Sequence, residues 1–372
     1  MSYPATKLIC LSFIASILCF IGCGDRMMPS NMSTDNFDRT GMLEFWADDI
    51  IIPTYDQYSI LLADLDNSRV DFTEDPTISN LTLLREAWLA AYHGWQEVAF
   101  FNIGMAESIG LINHSNIYPT NTDLIDENIS DQNLSFELPS NFPAQGFPAL
   151  DYLLFGIAEN DDEILQLLSS ENYTNYLTGL TETLVNLTEE VRSDWELGFR
   201  DTFIANNGSS GSASVDKLAN DFIFHYERFF RAGKVGIPAG VFTGNPLADA
   251  VEAPHANIYS KELFTTAFNA LVDFFEGKSV LGNPDGPSLD AYLEEIIESN
   301  DLHPINEDIL NQWEMVPAKL DAVSESFKEQ LQNDNSRMLE LYDELQKAVV
   351  FLKVDMMQAL NIQVDFVDAD GD

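Results

Sequence analysis

Apolar residues recur along much of this chain at intervals of three and four, the spacing that gathers them on one face of a helix. Leu84, Trp88, Ala91, Trp95 and Val98 form one such stripe, and Leu180, Leu184, Leu187 and Val191 form another. A third runs through Ile309, Trp313, Val316, Leu320, Val323, Phe327 and Leu331, predicting roughly six turns of helix. A fourth runs from Met338 through Leu341, Leu345, Leu352 and Met356 to Leu360. Strand-like alternation is best developed in Ile362-Gln363-Val364-Asp365-Phe366-Val367, which reads equally as an extended tail. Long amphipathic helices with short connections predict an all-α fold of antiparallel bundles. The polar run Asn206-Asn207-Gly208-Ser209-Ser210-Gly211-Ser212-Ala213-Ser214 breaks the pattern and reads as a linker. It divides an N-terminal bundle, 41–205, from a C-terminal bundle, 215–372. Residues 113–145 show little periodicity and are rich in Asn, Asp and Pro, so a long functional or mobile loop is expected there.

The first residues follow a different rule. Lys7 precedes a largely apolar run that ends at Gly22-Cys23, and polar Gly24-Asp25 follows. A positive charge ahead of a short apolar run is a secretory signal, and this one resembles a bacterial lipoprotein signal over 1–22. The resemblance implies that Cys23 is acylated and becomes the first residue, with 23–40 as an acylated tether. The expected location is the cell envelope, lipid-anchored at the outer membrane, with the body in the periplasm or at the surface. Cys10 and Cys19 leave with such a signal, so the mature body has no disulfide and is stable through its core alone.

Composition narrows the partners. The 372 residues are 45% hydrophobic, ample for packed cores, and carry 18 basic against 61 acidic side chains, a net charge of −43. Nucleic acid is excluded as a partner, because phosphate binding needs a clustered basic surface. Cations are the natural companions of a negative field.

Several residues carry candidate chemistry. His93 and Glu97 lie four apart on the Trp88 helix, so they form either a metal-ligand pair or a hydrogen bond between helices. Asp249, Glu252 and His255 follow at intervals of three around Pro254, as either a cation-binding loop or a solvated one. His114 and His303 fall in polar segments, and His225, among Phe222, Ile223 and Phe224, reads as a satisfied core histidine. In Gly146-Phe147-Pro148-Ala149-Leu150-Asp151, the proline predicts the first turn of a helix and places Asp151 near its positive end. No His-Glu-x-x-His or Gly-x-Ser-x-Gly motif is present.

The same segment, with Tyr152-Leu153-Leu154-Phe155-Gly156 after it, resembles the signature of the imelysin-like proteins, which include the M75 peptidases. That signature is Gly-x-His-x-x-Glu followed by a similar apolar run. Here Pro148 stands at the histidine position and Asp151 at the glutamate position. Matches extend from Trp88 to Gly104, from Lys234 to Gly240, over Glu252-Ala253-Pro254-His255, and through the C-terminal residues from Leu360. The resemblance implies two helical bundles, a site near their junction and a link to iron uptake. A hydrolytic metal needs about three protein ligands and an open position, and Pro148 supplies no donor atom. The reading that follows is a non-catalytic lipoprotein that binds a ligand or metal in iron acquisition. Gly146, Pro148, Asp151 and Glu252 would shape the ligand site, and His93, Glu97, Asp151 and His255 would supply ligands to iron or another divalent metal. Partners in iron uptake, and the membrane through Cys23, follow from it. The alternatives are a metallopeptidase that uses Asp151 with His93, and a surface protein that captures a protein or glycan through 113–145.

Overall fold

Regular structure is helical throughout residues 36–365, the extent described by this computed structural model, and no strand occurs among them. The signal, Cys23, most of the tether and residues 366–372 lie outside the described residues. Helices α1 (Ile52–Glu74) and α2 (Ile78–Val98) are joined by three residues and therefore run antiparallel. Pro53 is the second residue of α1, directly after the π-helical segment Trp46–Ile51 that runs into it. Thr77 caps α2 by accepting a hydrogen bond from the Asn80 amide at 3.3 Å. The predicted stripe of α2, from Leu84 to Val98, is buried at every position. The N-terminal half also holds α3 (Gly146–Asp151) and α4 (Glu171–Asp194). Helix α1 packs between α2 and α4.

In the second half, α5 (Ser214–Phe224) runs without a break into a π-helical segment, His225–Gly236. That segment packs on α6 (Ser260–Glu276) and α7 (Ser336–Val350). The two halves meet where α2 lies against α6. Just beyond α2, Phe100 and Phe101 place their rings 5.5 and 5.4 Å from Phe274 of α6, and Phe222 of α5 is 5.6 Å from the same ring. Such aromatic pairs contribute about 0.5–1.5 kcal/mol each beyond the area they bury. The polar 206–214 segment closes on itself, with the Ser214 amide on the Asn206 carbonyl at 3.0 Å. Arg39 holds it from outside through the Gly208 carbonyl at 2.8 Å. Residues from Asn36 onward cluster as one compact unit.

Two sequence expectations change. The stripe from Ile309 to Leu331 is buried throughout, yet it spans three helices, Ile305–Trp313, Val316–Asp321 and Phe327–Asn333. Pro317 starts the second, and Ser326 starts the third by accepting from the Glu329 amide at 3.0 Å. Residues 113–145 are not one long loop. They hold a capped helix, Thr122–Asp131, because Ile125 and Ile129 lie four apart and are buried, and Asn121 accepts from the Leu124 amide. Of the two readings of 362–367, strand or extended tail, the described residues 362–365 form no strand.

Burial separates two adjacent leucines of α2: Leu84 is fully buried, whereas Leu83 is 52% exposed. Leu84→Ala should cost about 2–5 kcal/mol of unfolding free energy in urea, and Leu83→Ala within about 0.5 kcal/mol. Equal losses would mean that α2 presents a different face to the core.

Candidate ligand-binding cleft

Gly146 opens α3 with φ at +71°, and a Cβ there would lie 2.2 Å from the Ser115 carbonyl oxygen, so only glycine fits. The Tyr92 ring stacks on Phe147 at 4.5 Å, and Trp88 Nε1 donates to the Phe147 carbonyl at 3.3 Å. Because α3 starts at Gly146, Asp151 falls in its second turn rather than the first. Its carboxylate turns away from the helix and is completely buried. Oδ2 accepts the His255 amide and Oδ1 the Ala256 amide, both at 2.9 Å. Asp151 thereby fastens a loop in which Ala253 and Asn257 occupy the left-handed region, at φ 53° and 61°. Non-glycine residues in such conformations cost of order 1–3 kcal/mol and persist where their surroundings impose them.

The π-helical segment Tyr152–Gly156 follows α3 and frees the Leu154 carbonyl, which Arg85 takes through Nε at 2.9 Å and Nη2 at 2.7 Å. The same guanidinium lies 4.7 Å from the Phe155 ring centre. Gly156 admits the His255 ring, since a Cβ there would meet Nδ1 at 2.4 Å. Burial, helped by the nearby Lys328 charge, lowers the His255 pKa to about 4, so the imidazole is neutral at pH 7.

The loop that Asp151 holds carries Glu252 into a buried polar network. Glu252 Oε1 accepts from Gln96 Nε2 at 3.0 Å and from Asn116 Nδ2 at 2.8 Å, while Oε2 pairs with the Lys234 ammonium. Lys234 Nζ also donates to Gln96 Oε1 at 2.8 Å, and the Tyr92 hydroxyl donates to Asn116 Oδ1 at 2.6 Å. Lys234, Glu252 and Gln96 are each at most 4% exposed. Burial pulls the Lys234 ammonium below its usual value, against the Glu252 charge that favours it. Gln96, Asn116 and Lys234 reach the surface of a cleft of about 550 Å³. Trp95, Phe229, Phe242 and Ile237 supply apolar wall, and Asn113, Tyr118, His225 and Arg228 add polar groups. A concave apolar site with a few convergent polar groups suits a small-molecule ligand.

The residues singled out from sequence distribute unevenly. Gly146, Pro148 and Asp151 are buried outside the cleft lining, and of the three Asp151 holds the loop that follows Glu252. Glu252 lies in the network itself. His93 faces α6, its ring nitrogens 2.7 Å from Thr266 Oγ1 and 3.0 Å from Glu262 Oε1. Glu97 lines a separate cleft with Asp273, and burial followed by the Asp273 charge raises its pKa. Among the described residues no three His, Cys, Asp or Glu side chains gather as a metal would require. Asp249 pairs with Lys328 at 2.8 Å, and His303 pairs with Asp308. His114, expected in a polar loop, is buried on the helix Leu111–Ser115, with its ring 4.7 Å from that of Phe142. His225 is not a satisfied core histidine, because its buried Nδ1 has no partner.

Sequence reasoning passed over Gln96, Asn116, Tyr118, Arg228 and the lining role of Lys234. Tyr92 and Gln96 lie four apart beside the apolar stripe of α2, a signal that was present for Gln96.

The sequence model of the imelysin family, classed as peptidase M75, matches residues 51–351. The chain belongs to the imelysin family. Among solved structures it is similar to an iron-regulated protein A precursor from Parabacteroides distasonis ATCC 8503, with a TM-score of 0.72 and 16% identity. That match covers 89% of this chain and 97% of the other. An imelysin-like protein from Psychrobacter arcticum 273-4 gives a TM-score of 0.68 at 19% identity, covering 88% and 97% of the two chains. No curated protein matches significantly. In this imelysin, then, the signature segment serves as a latch: proline replaces the family's histidine, and the acid holds backbone.

Burial pushes the Asp151 carboxyl up to about 7, against the two amide bonds and the Lys328 charge. A carboxyl raised on folding favours the folded state most below its unfolded pKa of about 3.9, and that advantage is lost as pH rises towards 7. The unfolding free energy of the wild type minus that of Asp151→Asn should therefore fall between pH 4 and 7 and stay flat above. Urea titrations across that range measure it, and a difference that rises with pH would refute the assignment.

Proposed function

We propose that this protein is an exported, lipid-anchored and non-catalytic binding component of iron acquisition that takes its ligand in the Lys234 cleft. The carrying observation is the buried Gln96–Asn116–Lys234–Glu252 network at the cleft surface. Burying an ion pair costs more in desolvation than it returns unless its geometry is well satisfied, and the placement of this satisfied network at a concave surface supports the cleft as the ligand site. Family membership and the iron-regulated neighbour support the link to iron. The signal-like residues through Cys23 support export and a lipid anchor.

The non-catalytic reading rests on donor atoms. At the signature positions Pro148 offers none, and both oxygens of Asp151 are engaged by backbone amides. His93 faces Glu262 and Thr266 rather than joining them. No helix among the described residues is long and apolar enough to cross a membrane. Attachment is assigned instead to acylated Cys23.

Deletion of the gene in its native bacterium should slow uptake of radioactive iron several-fold under iron limitation, and the wild-type chain should restore it. Asn113→Trp, which places an indole at the cleft wall, should not restore uptake although the variant accumulates normally. Cys23→Ser should shift the protein from membrane to soluble fractions. Unchanged uptake in the deletion strain would remove the iron role. A chelator-sensitive peptide cleavage lost in His93→Ala would replace the binding reading with the peptidase one.

A further inference from the structure

The charge inside the cleft is opposite to that of the chain. Its lining includes Arg228 and Lys234 and contains no aspartate or glutamate, in a protein with 61 acidic residues. The Lys234 charge is matched by Glu252, but Arg228 is exposed and its side chain has no hydrogen-bond or ion-pair partner among the described residues. Two further donors are only partly used. An ammonium has three N–H bonds, and Lys234 directs two of them to Gln96 and Glu252. His225 is 6% exposed, and neither ring nitrogen has a hydrogen-bond partner. Nδ1 is fully enclosed, which leaves Nε2 as the nitrogen with access to the cleft.

A buried polar atom without a partner costs about 1–3 kcal/mol, and the Arg228 guanidinium and the Lys234 ammonium line the same cleft. Burial first and the Lys234 charge second lower the His225 pKa to about 3, so the ring is neutral and offers a single N–H. Asn113 and the Tyr118 hydroxyl add neutral polar groups, and Trp95, Phe229 and Phe242 provide apolar surface. The remaining capacity of the cleft is thus one unpaired guanidinium, one spare ammonium N–H and one imidazole N–H beside aromatic walls. A guanidinium binds a carboxylate through paired N–H bonds.

Resting on the reading of this cleft as the ligand site, we infer that its ligand is an amphipathic organic carboxylate, with its anionic end at Arg228 and His225 and its apolar part against Trp95 and Phe229. A bare cation is not its occupant. Iron that reaches this site does so within an anionic organic complex.

Calorimetry on the purified protein with three probes of one skeleton tests the charge directly: 4-phenylbutyrate, its neutral amide and 4-phenylbutylamine. Charge-assisted hydrogen bonds predict that the carboxylate binds at least roughly tenfold more tightly than the amide, and that added salt weakens it. The amine should show no saturable binding. Arg228→Gln should weaken the carboxylate roughly tenfold and leave the amide unchanged, and His225→Phe, which keeps the ring volume, should weaken the carboxylate several-fold. Equal binding of carboxylate and amide, or an Arg228→Gln variant indistinguishable from wild type, would overturn the anion assignment while keeping the cleft as a ligand site. No binding of any probe at millimolar concentration would overturn both. Carboxylate binding in a protein whose deletion leaves iron uptake unchanged would uphold the inference and remove only the iron role.

Discussion

The ion pair between Lys234 and Glu252 is the constraint around which the rest of the site is arranged. Each partner comes from a different part of the chain, Lys234 from the π-helical segment His225–Gly236 and Glu252 from the loop that follows it. Gln96 from α2 and Asn116, after the helix Leu111–Ser115, complete the set, so one buried cluster joins both halves of the molecule. Removing one member of such a pair leaves an uncompensated charge in the interior, at a cost of about 3–5 kcal/mol. The cluster is therefore satisfied as a whole or not at all. That property ties the position of α2 to the position of the Glu252 loop, and with it the shape of the cleft.

Asp151 explains how a loop with two left-handed residues holds Glu252 in place. Its two oxygens accept consecutive amides, His255 and Ala256, and so fix the direction of the backbone just beyond Glu252. Gly146 allows α3 to approach Ser115 closely enough for this, and Gly156 clears space for the His255 ring. With the motif histidine replaced by proline, the segment retains its glycine, its acid and its packing. Those retained features serve position rather than ligation. The signature in this chain is thus a support one layer behind the cleft, whose surface carries Lys234, Arg228 and His225.

Much of the fold was legible because helical periodicity is local. Stripes such as Leu84 to Val98 and Met338 to Leu360 are buried as their spacing implies. The stripe from Ile309 to Leu331 predicted burial correctly and continuity wrongly, since apolar spacing survives a break at Pro317 that redirects the chain. The capped helix Thr122–Asp131 was hidden for the opposite reason, because only Ile125 and Ile129 mark its inner face. The site was legible only in pieces. Glu252 was found through its motif, but its partners Gln96, Asn116 and Lys234 stand 156, 136 and 18 residues away along the chain. No spacing rule connects positions that meet only through tertiary packing. Pairing His93 with Glu97 on helical periodicity chose the right helix, while the network uses the adjacent Gln96, about 100° around the helix axis from Glu97.

The net charge of −43 pointed towards cations, whereas the cleft presents two basic side chains and no acidic one. These facts act over different distances. At physiological ionic strength, exposed charges are screened beyond about 8 Å, so the distant acidic surface contributes little inside a recess bounded by low-dielectric aromatic walls. There the nearest charges decide, and the nearest unmatched one is Arg228. A net negative charge slows the approach of anions, at a modest and salt-dependent cost in rate. Selectivity then follows from contrast: a molecule must bring both an anionic end and an apolar body to gain more from the cleft than from water.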